Sequence, residues 1–142
     1  MKDRELLQET DEEVLDRLAN KMYDIAGEHG FHLHDTSGEI PEDFGRFIAN
    51  LHGEVTELWE AYRKGDLRNS CDKPGCDLTC AEEELADIVI RAMDTAVQLG
   101  ISLGRAVVTK AEYNQTRSYQ HGGKKHAYPV HTLHKNDRNY TS

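Results

Sequence analysis

Apolar residues recur along most of the chain at the three- and four-residue spacing of an amphipathic helix. Four segments show this spacing, and turn residues separate them. No segment stands out for the alternation of apolar and polar residues that is typical of a β-strand. The pattern therefore predicts an all-α fold, a bundle of four principal helices.

Capping signals predict where two of these helices begin. Thr10 and Glu13 have the spacing of a capping box, as do Thr79 and Glu82. The second helix is predicted to use Pro41 in its first turn, and the fourth to run from a serine cap to about residue 118. Glycines are predicted to end the first three helices: Gly27 and Gly30 together for the first, Gly65 for the second, and Gly100 for the third.

Two domains of different character follow from composition. Residues 1–118 carry the helical pattern, whereas residues 119–142 are low in aliphatic residues and rich in His, Lys and Asn. We therefore expect one helical domain over 1–118 and a basic, His-rich and partly flexible tail over 119–142.

Two acidic pairs lie on matching flanks of the second and third helices. Glu54 and Glu57 form one pair, and Glu84 and Asp87 form the other. Residues at i and i+3 share a helix face, so two such helices packed together would place four carboxylates around one spot. Such a cluster is costly to desolvate unless a hard cation neutralises it. The pattern predicts a site for Mg²⁺, with Mn²⁺ as a substitute.

Other interpretations of these residues compete with a magnesium site. A single acidic pair is most often a solvated helix face. A ferritin-like di-iron bundle uses Glu-x-x-His on two helices, and neither pair here contains His. Cys71, Cys76 and Cys80 lack the fourth cysteine and the C-x-x-C pair of a common zinc site. Free thiols are the expectation, and a zinc-stabilised adaptor is a less favoured alternative.

The charge of the chain narrows the choice of partners. The 142 residues carry a formal charge of -9. From Arg117 onward five basic residues oppose a single acidic one, so the tail is +4 and residues 1–116 are -13. An acidic body with a small basic tail argues against nonspecific duplex nucleic-acid binding.

The cellular location is predicted from the lack of a membrane span, a signal core and a disulfide framework in the sequence. No apolar run reaches the roughly 18–20 residues that span a membrane, and the N-terminus has no apolar signal core. Three cysteines do not form a self-contained disulfide framework. We expect a cytoplasmic protein that does not bind membranes.

Four stretches form a specific combination: LHGEVTEL at 51–58, EELADIVIR at 83–91, KAEYNQTR at 110–117 and HGGK at 121–124. Together they resemble the MazG-like family of all-α nucleoside triphosphate pyrophosphohydrolases, which also includes dimeric dUTPases and dCTP pyrophosphatases. The shared signature is ExxE, a spacer and ExxD, and 26 residues separate Glu57 from Glu84. The resemblance covers roughly residues 11–125.

The resemblance implies an activity and a set of catalytic residues. Glu54, Glu57, Glu84 and Asp87 would bind Mg²⁺, and water would attack the α-phosphorus of a nucleoside triphosphate to give a monophosphate and pyrophosphate. Deoxynucleotides are the expected substrates, in pool sanitation or nucleotide control. The family also implies a homodimer or homotetramer, for which exposed aromatics such as Trp59 supply a physical motive.

Substrate contacts are expected outside the acidic pairs. Cationic and amide groups of the fourth helix suit phosphate and sugar, and rings of the loop after the first helix suit base stacking. Each of these residues has an ordinary surface or packing role as its alternative. The candidates are Lys110, Asn114, Arg117, Lys124, Phe31 and His32. The rival function is a noncatalytic protein whose acidic helical face binds a basic partner.

Overall fold

The computed structural model describes residues 9–32 and 40–117, and these residues form four α-helices and no strand. The helices are α1 (Asp11–Glu28), α2 (Phe44–Lys64), α3 (Cys80–Gln98) and α4 (Leu103–Gln115). The predicted all-α fold with four principal helices is confirmed for this part of the chain. None of the described helices is long and apolar enough to cross a membrane.

Two compact units divide the chain, Met1–Val108 and Thr109–Ser142, and their boundary falls within α4. The first unit contains α1, α2, α3 and the first residues of α4. Of the second unit, the structure describes residues 109–117. The predicted basic tail over 119–142 lies outside the described residues.

Both predicted capping boxes are present. The Glu13 carboxylate accepts a hydrogen bond from the Thr10 backbone N–H at 2.8 Å, while the Thr10 hydroxyl accepts from the Glu13 N–H. Thr79 and Glu82 repeat this arrangement at the start of α3. The backbone hydrogen bond from each threonine lowers the pKa of its glutamate, so these carboxylates stay ionised, and continue to cap their helices, to a lower pH than an ordinary glutamate would.

Two helix boundaries differ from the prediction. α2 begins at Phe44, three residues after Pro41, because Pro41 lies in a turn whose carbonyl accepts from the Phe44 N–H at 3.0 Å. The C-terminal end of α2 is as predicted, since Gly65 adopts φ 77°, a left-handed conformation that glycine tolerates best. α4 ends at Gln115, about three residues earlier than the sequence indicated.

The start of α4 is fixed to α1 by a side chain. The Asp16 carboxylate accepts from the Ser102 hydroxyl at 2.6 Å and from the Gly104 N–H at 2.7 Å. The hydrogen bond from Ser102 is the main reason that the pKa of Asp16 is lowered. A Cβ on Gly104 would lie 2.8 Å from the Glu12 Cα, so glycine is required for this close helix contact.

α3 is the central helix, because it packs against both α1 and α2. The apolar core of the described residues is small, and its buried members are Ala19, Met93 and Ala96. None of the large side chains in the described residues is fully buried. Burial of large apolar side chains is the main source of folding free energy, so a core this small indicates that the apolar faces of the helices are incompletely covered.

Two apolar surfaces remain exposed among the described residues of the first unit. The α2 stripe follows one face of that helix and consists of Ile48, Val55, Trp59 and Tyr62. The apolar groove runs between α1 and α3, has a volume of about 440 Å³ and is lined by Leu18, Met22, Leu85, Ala86, Val89, Ile90 and Met93. Contiguous apolar surface of this kind marks interaction sites in soluble proteins.

Candidate metal site

Three of the four predicted carboxylates converge between α2 and α3. One oxygen each from Glu54, Glu84 and Asp87 lies within 4.8 Å of the others, and we call these residues the acidic cluster. Glu84 and Asp87 are one turn apart on α3, and the packing of α2 against α3 brings Glu54 to the same place. Of the described residues, this is the one group of three or more side chains with metal-ligand spacing.

Glu57, the fourth predicted ligand, is not a member of this group. Its side chain is exposed and lines an open cleft of about 570 Å³ that also reaches Glu84. The negative charge of Glu57 contributes to a raised pKa at Glu84, so the two carboxylates are near each other. A ligand role for Glu57 stays a prediction.

Burial and mutual repulsion disfavour ionisation of the acidic cluster. Burial is the largest cause of the raised pKa of Glu84, followed by the charges of Glu57 and Glu83. Burial also raises the pKa of Asp87, with the charge of Glu54 as the next cause, while Arg91 opposes both. The protein therefore stores electrostatic free energy that a cation would release.

Glu84 supplies a second sign that the cluster fits a metal. Its Oε2 atom is buried and has no hydrogen-bond partner within the described part of the chain. A buried acceptor left unpaired costs roughly 1–3 kcal/mol. A hard divalent cation would satisfy this oxygen together with those of Glu54 and Asp87, and would keep further positions for water or phosphate.

Arg91 and Lys73 flank the acidic cluster, and neither was predicted to belong to the site. The Arg91 Nε donates to Glu54 Oε1 at 3.0 Å. The Lys73 ammonium, from the loop before α3, lies 3.0 Å from an oxygen of Glu83, and that contact is the main reason its pKa is raised. The position of Arg91 one turn after Asp87 on the acidic flank was the available sequence signal.

A small cavity adjoins the cluster on the far side of Arg91. Aromatic, amide and charged side chains line it: Phe31, Arg46, Phe47, Asn50, Arg91, Asp94 and Thr95. The Arg91 guanidinium lies 5.8 Å from the centre of the Phe31 ring. The volume of this cavity is about 10 Å³, room for about one water molecule. A planar heterocycle does not fit inside it and would have to stack on the half-exposed ring of Phe31.

Phe31 and His32, the predicted stacking residues, have different environments. Phe31 is half-exposed and lines the cavity. The His32 side chain is only 6% exposed, stacks on Tyr23 with ring centres 3.9 Å apart, and places Nε2 2.6 Å from Asp94 Oδ1. Base stacking by either ring stays a prediction.

The predicted phosphate and sugar contacts belong to the second unit. Lys110, Asn114 and Arg117 are exposed, and the Lys110 ammonium lies 4.7 Å from the centre of the Tyr113 ring. Their roles toward a substrate stay predictions. Lys124 lies outside the described residues.

The cysteine loop shows free thiols. Cys71, Cys76 and Cys80 are half-buried and unpaired with one another by disulfides, and the Cys71 thiol lies 3.7 Å from the Cys76 carbonyl oxygen as a weak donor. Within the described ranges, no group of metal-ligand spacing includes a cysteine. The zinc alternative gains no support from this part of the structure.

Comparison with known proteins adds no assignment. No family model, no curated protein and no solved structure matches this chain. Functional inference therefore depends on the residues of the site and on the resemblance of its motifs.

The raised pKa values of Glu84 and Asp87 predict an unusual dependence of stability on pH. A carboxyl whose pKa is higher in the folded protein than in the unfolded chain stabilises the fold when protonated, and this contribution is lost as pH rises through the folded pKa. In EDTA we therefore expect the unfolding midpoint to rise as the pH is lowered from neutrality toward the ordinary carboxyl values of about 4.

The control for this measurement is Glu84→Gln, which lacks one of the two titrating carboxyls. Its midpoint should change less over the same interval, and the difference between the two proteins removes the contribution of the histidines. Parallel curves for wild type and variant would contradict the assigned cause.

Proposed function

We propose that this protein is a Mg²⁺-dependent nucleoside triphosphate pyrophosphohydrolase that converts a (deoxy)nucleoside triphosphate to its monophosphate and pyrophosphate. The observation that carries the proposal is the convergence of Glu54, Glu84 and Asp87 within 4.8 Å, with one buried oxygen of Glu84 that has no hydrogen-bond partner in the described part of the chain. The resemblance of the ExxE and ExxD motifs to MazG-like sequences supplies the reaction type.

The acidic cluster would hold the cation, and the cation would supply Lewis acidity and neutralise triphosphate charge. Glu57 is an exposed carboxylate on the cleft wall next to Glu84, and we assign it the role of base. The water oxygen forms a bond to the α-phosphorus, the bond from that phosphorus to the bridging oxygen breaks, pyrophosphate leaves, and the water proton passes to Glu57.

The nucleoside part of the substrate would lie on the surface beside Arg91 and the half-exposed Phe31 ring, because the adjoining cavity of about 10 Å³ has room for about one water molecule. Phe31 offers a ring face there, and Asn50 offers hydrogen-bonding groups. Arg91 stands between this cavity and the acidic cluster. The exposed Phe31 ring and the acidic cluster together suit a molecule that is a planar heterocycle at one end and a chelated polyphosphate at the other.

We also propose that the active form is a homodimer or a homotetramer, located in the cytoplasm. The α2 stripe and the apolar groove expose large apolar side chains that a second copy of the chain would cover. The three free thiols agree with a reducing compartment.

A panel of the eight standard ribo- and deoxynucleoside triphosphates with Mg²⁺ tests the reaction, scored for pyrophosphate and for free phosphate. We expect pyrophosphate as the product and no turnover in EDTA. Free phosphate as the main product would contradict the reaction type. No turnover, together with no Mg²⁺-coupled binding of a nonhydrolysable analogue by calorimetry, would favour the noncatalytic partner-binding alternative.

A further inference from the structure

Arg91 contacts both halves of the proposed site. Its Nε bonds to Glu54 Oε1 at 3.0 Å, and Glu54 is a member of the acidic cluster. Its guanidinium also lines the aromatic cavity and lies 5.8 Å from the centre of the Phe31 ring. The side chain is 30% exposed, so the guanidinium has room to change partners.

A cation at the acidic cluster competes with this guanidinium for Glu54. Coordination would draw Glu54 toward the metal and place two positive charges a few ångströms apart, where they repel each other strongly in a partly buried site. The hydrogen bond from Arg91 to Glu54 Oε1 is then weaker. The guanidinium gains by turning toward the cavity, where the Phe31 ring face and an incoming anionic ligand both favour a cation.

Charge balance indicates which ligand draws Arg91 away from Glu54. The three carboxylates of the acidic cluster carry a formal -3 when ionised, and a divalent cation neutralises two of these charges. Within the described residues, Arg91 is the basic side chain hydrogen-bonded to a cluster member. The metal-loaded cluster keeps a charge of -1, which Arg91 balances, so it is the negative charge of a polyphosphate entering with the metal that completes the transfer of Arg91 away from Glu54.

We propose that Arg91 couples the two halves of the site: it competes with the divalent cation for Glu54 and, once displaced, binds the phosphate or sugar of the nucleotide beside the cavity. Arg91 is thus a positioning residue for Glu54 and a ligand-binding residue in turn. This inference rests on the proposed function, since it takes a nucleoside triphosphate as the ligand.

The competition predicts opposite changes for two ligands when the positive charge is removed. Arg91→Met keeps an unbranched side chain without the charge. By calorimetry on the full chain, Mn²⁺ alone should bind about tenfold more tightly, because its competitor is gone. With Mn²⁺ saturating, an α,β-imido deoxynucleoside triphosphate should bind about tenfold more weakly, because a charge-assisted contact is lost. In turnover, KM should rise more than kcat falls.

Two further variants keep the test decisive. Arg63→Met removes an exposed arginine of α2 that pairs with Glu60 on the surface, and both affinities should stay at the wild-type values. Arg91→Lys keeps the charge but not the forked donor, so Mn²⁺ affinity should stay near wild type while the analogue binds more weakly. If Arg91→Met does not fold, Arg91→Gln takes its place in the same measurements.

If Arg91→Met binds both Mn²⁺ and the analogue more weakly, Arg91 has only a structural role and the proposal is overturned. Unchanged Mn²⁺ affinity in Arg91→Met would overturn the competition, and unchanged analogue affinity would overturn the ligand contact. Failure of the proposed function is separate, because it would appear as absence of turnover and of analogue binding in the wild type. The Mn²⁺ comparison would still report on Arg91.

Discussion

Replacing Glu84 by glutamine is expected to reduce pyrophosphate release by more than about a thousandfold. The substitution keeps the size of the side chain and removes one anionic ligand from the acidic cluster. A metal contributes several kcal/mol to the stabilisation of transition-state charge, and each 1.36 kcal/mol corresponds to a tenfold change in rate. Calorimetry should show Mn²⁺ binding lost in the same variant, and Asp87→Asn should behave alike.

The same variant should retain its fold, which separates loss of chemistry from loss of structure. Burial raises the pKa of Glu84, and its Oε2 has no partner among the described residues. Neutralising this side chain therefore relieves a cost, so in EDTA the unfolding midpoint of Glu84→Gln should equal or exceed that of wild type.

Asp24→Asn is the matched control, since Asp24 is an exposed acid of α1 outside the cluster. It should leave Mn²⁺ binding and turnover unchanged. Turnover retained by both Glu84→Gln and Asp87→Asn would show that the acidic cluster is not the metal site of the reaction.

Placing a charge in the apolar groove is expected to dissociate the oligomer. Val89 is 50% exposed in the single chain and lines the groove, whose walls are entirely apolar. A carboxylate buried there by a second copy would have no partner, a cost of about 3–5 kcal/mol. Light scattering after gel filtration should give a multiple of 16.1 kDa for wild type and 16.1 kDa for Val89→Glu.

Val107→Glu provides a control with the same chemistry. Val107 is 46% exposed on α4 and does not line the groove, so this variant should keep the wild-type mass. A wild-type mass of 16.1 kDa at about 100 µM would contradict the oligomer itself. If Val89→Glu is still an oligomer, the groove is not the interface, and the α2 stripe becomes the candidate interface.

Local signals were sufficient for most of the fold. Capping boxes at Thr10 and Thr79 depend on residues three apart, and the chain realises both. The start of α2 was less certain, because proline is accepted both in a first helical turn and in the turn before it. The structure uses the second option at Pro41.

Helical periodicity predicted that acidic side chains of α2 and α3 would lie together, but it could not predict the contacts that depend on how distant segments pack. Spacing along α3 placed Glu84 and Asp87 on one face, and their convergence with Glu54 follows from the packing of α2 on α3. Contacts between distant residues depend on the register of that packing and on loop conformation. Examples are the bond of Arg91 to Glu54, 37 residues away, and that of His32 to Asp94, 62 residues away.

Glu57 illustrates the limit of the same reasoning. It is one turn from Glu54 on α2, yet it lines the open cleft and does not lie within 4.8 Å of all three cluster oxygens at once. Two helices that cross at an angle separate as they leave the crossing point. Residues at equal spacing along each helix are therefore not at equal distances from a shared centre.

The division of the acidic cluster between two helices has a mechanical consequence. One carboxylate comes from α2 and two come from α3. An ion bound to all three would therefore cross-link the two helices. Because the apolar core of the described residues is small, this cross-link would add appreciably to the free energy of unfolding, by an amount that grows with ion concentration. Divalent ion supply would then set how long the folded chain survives as well as how fast it reacts.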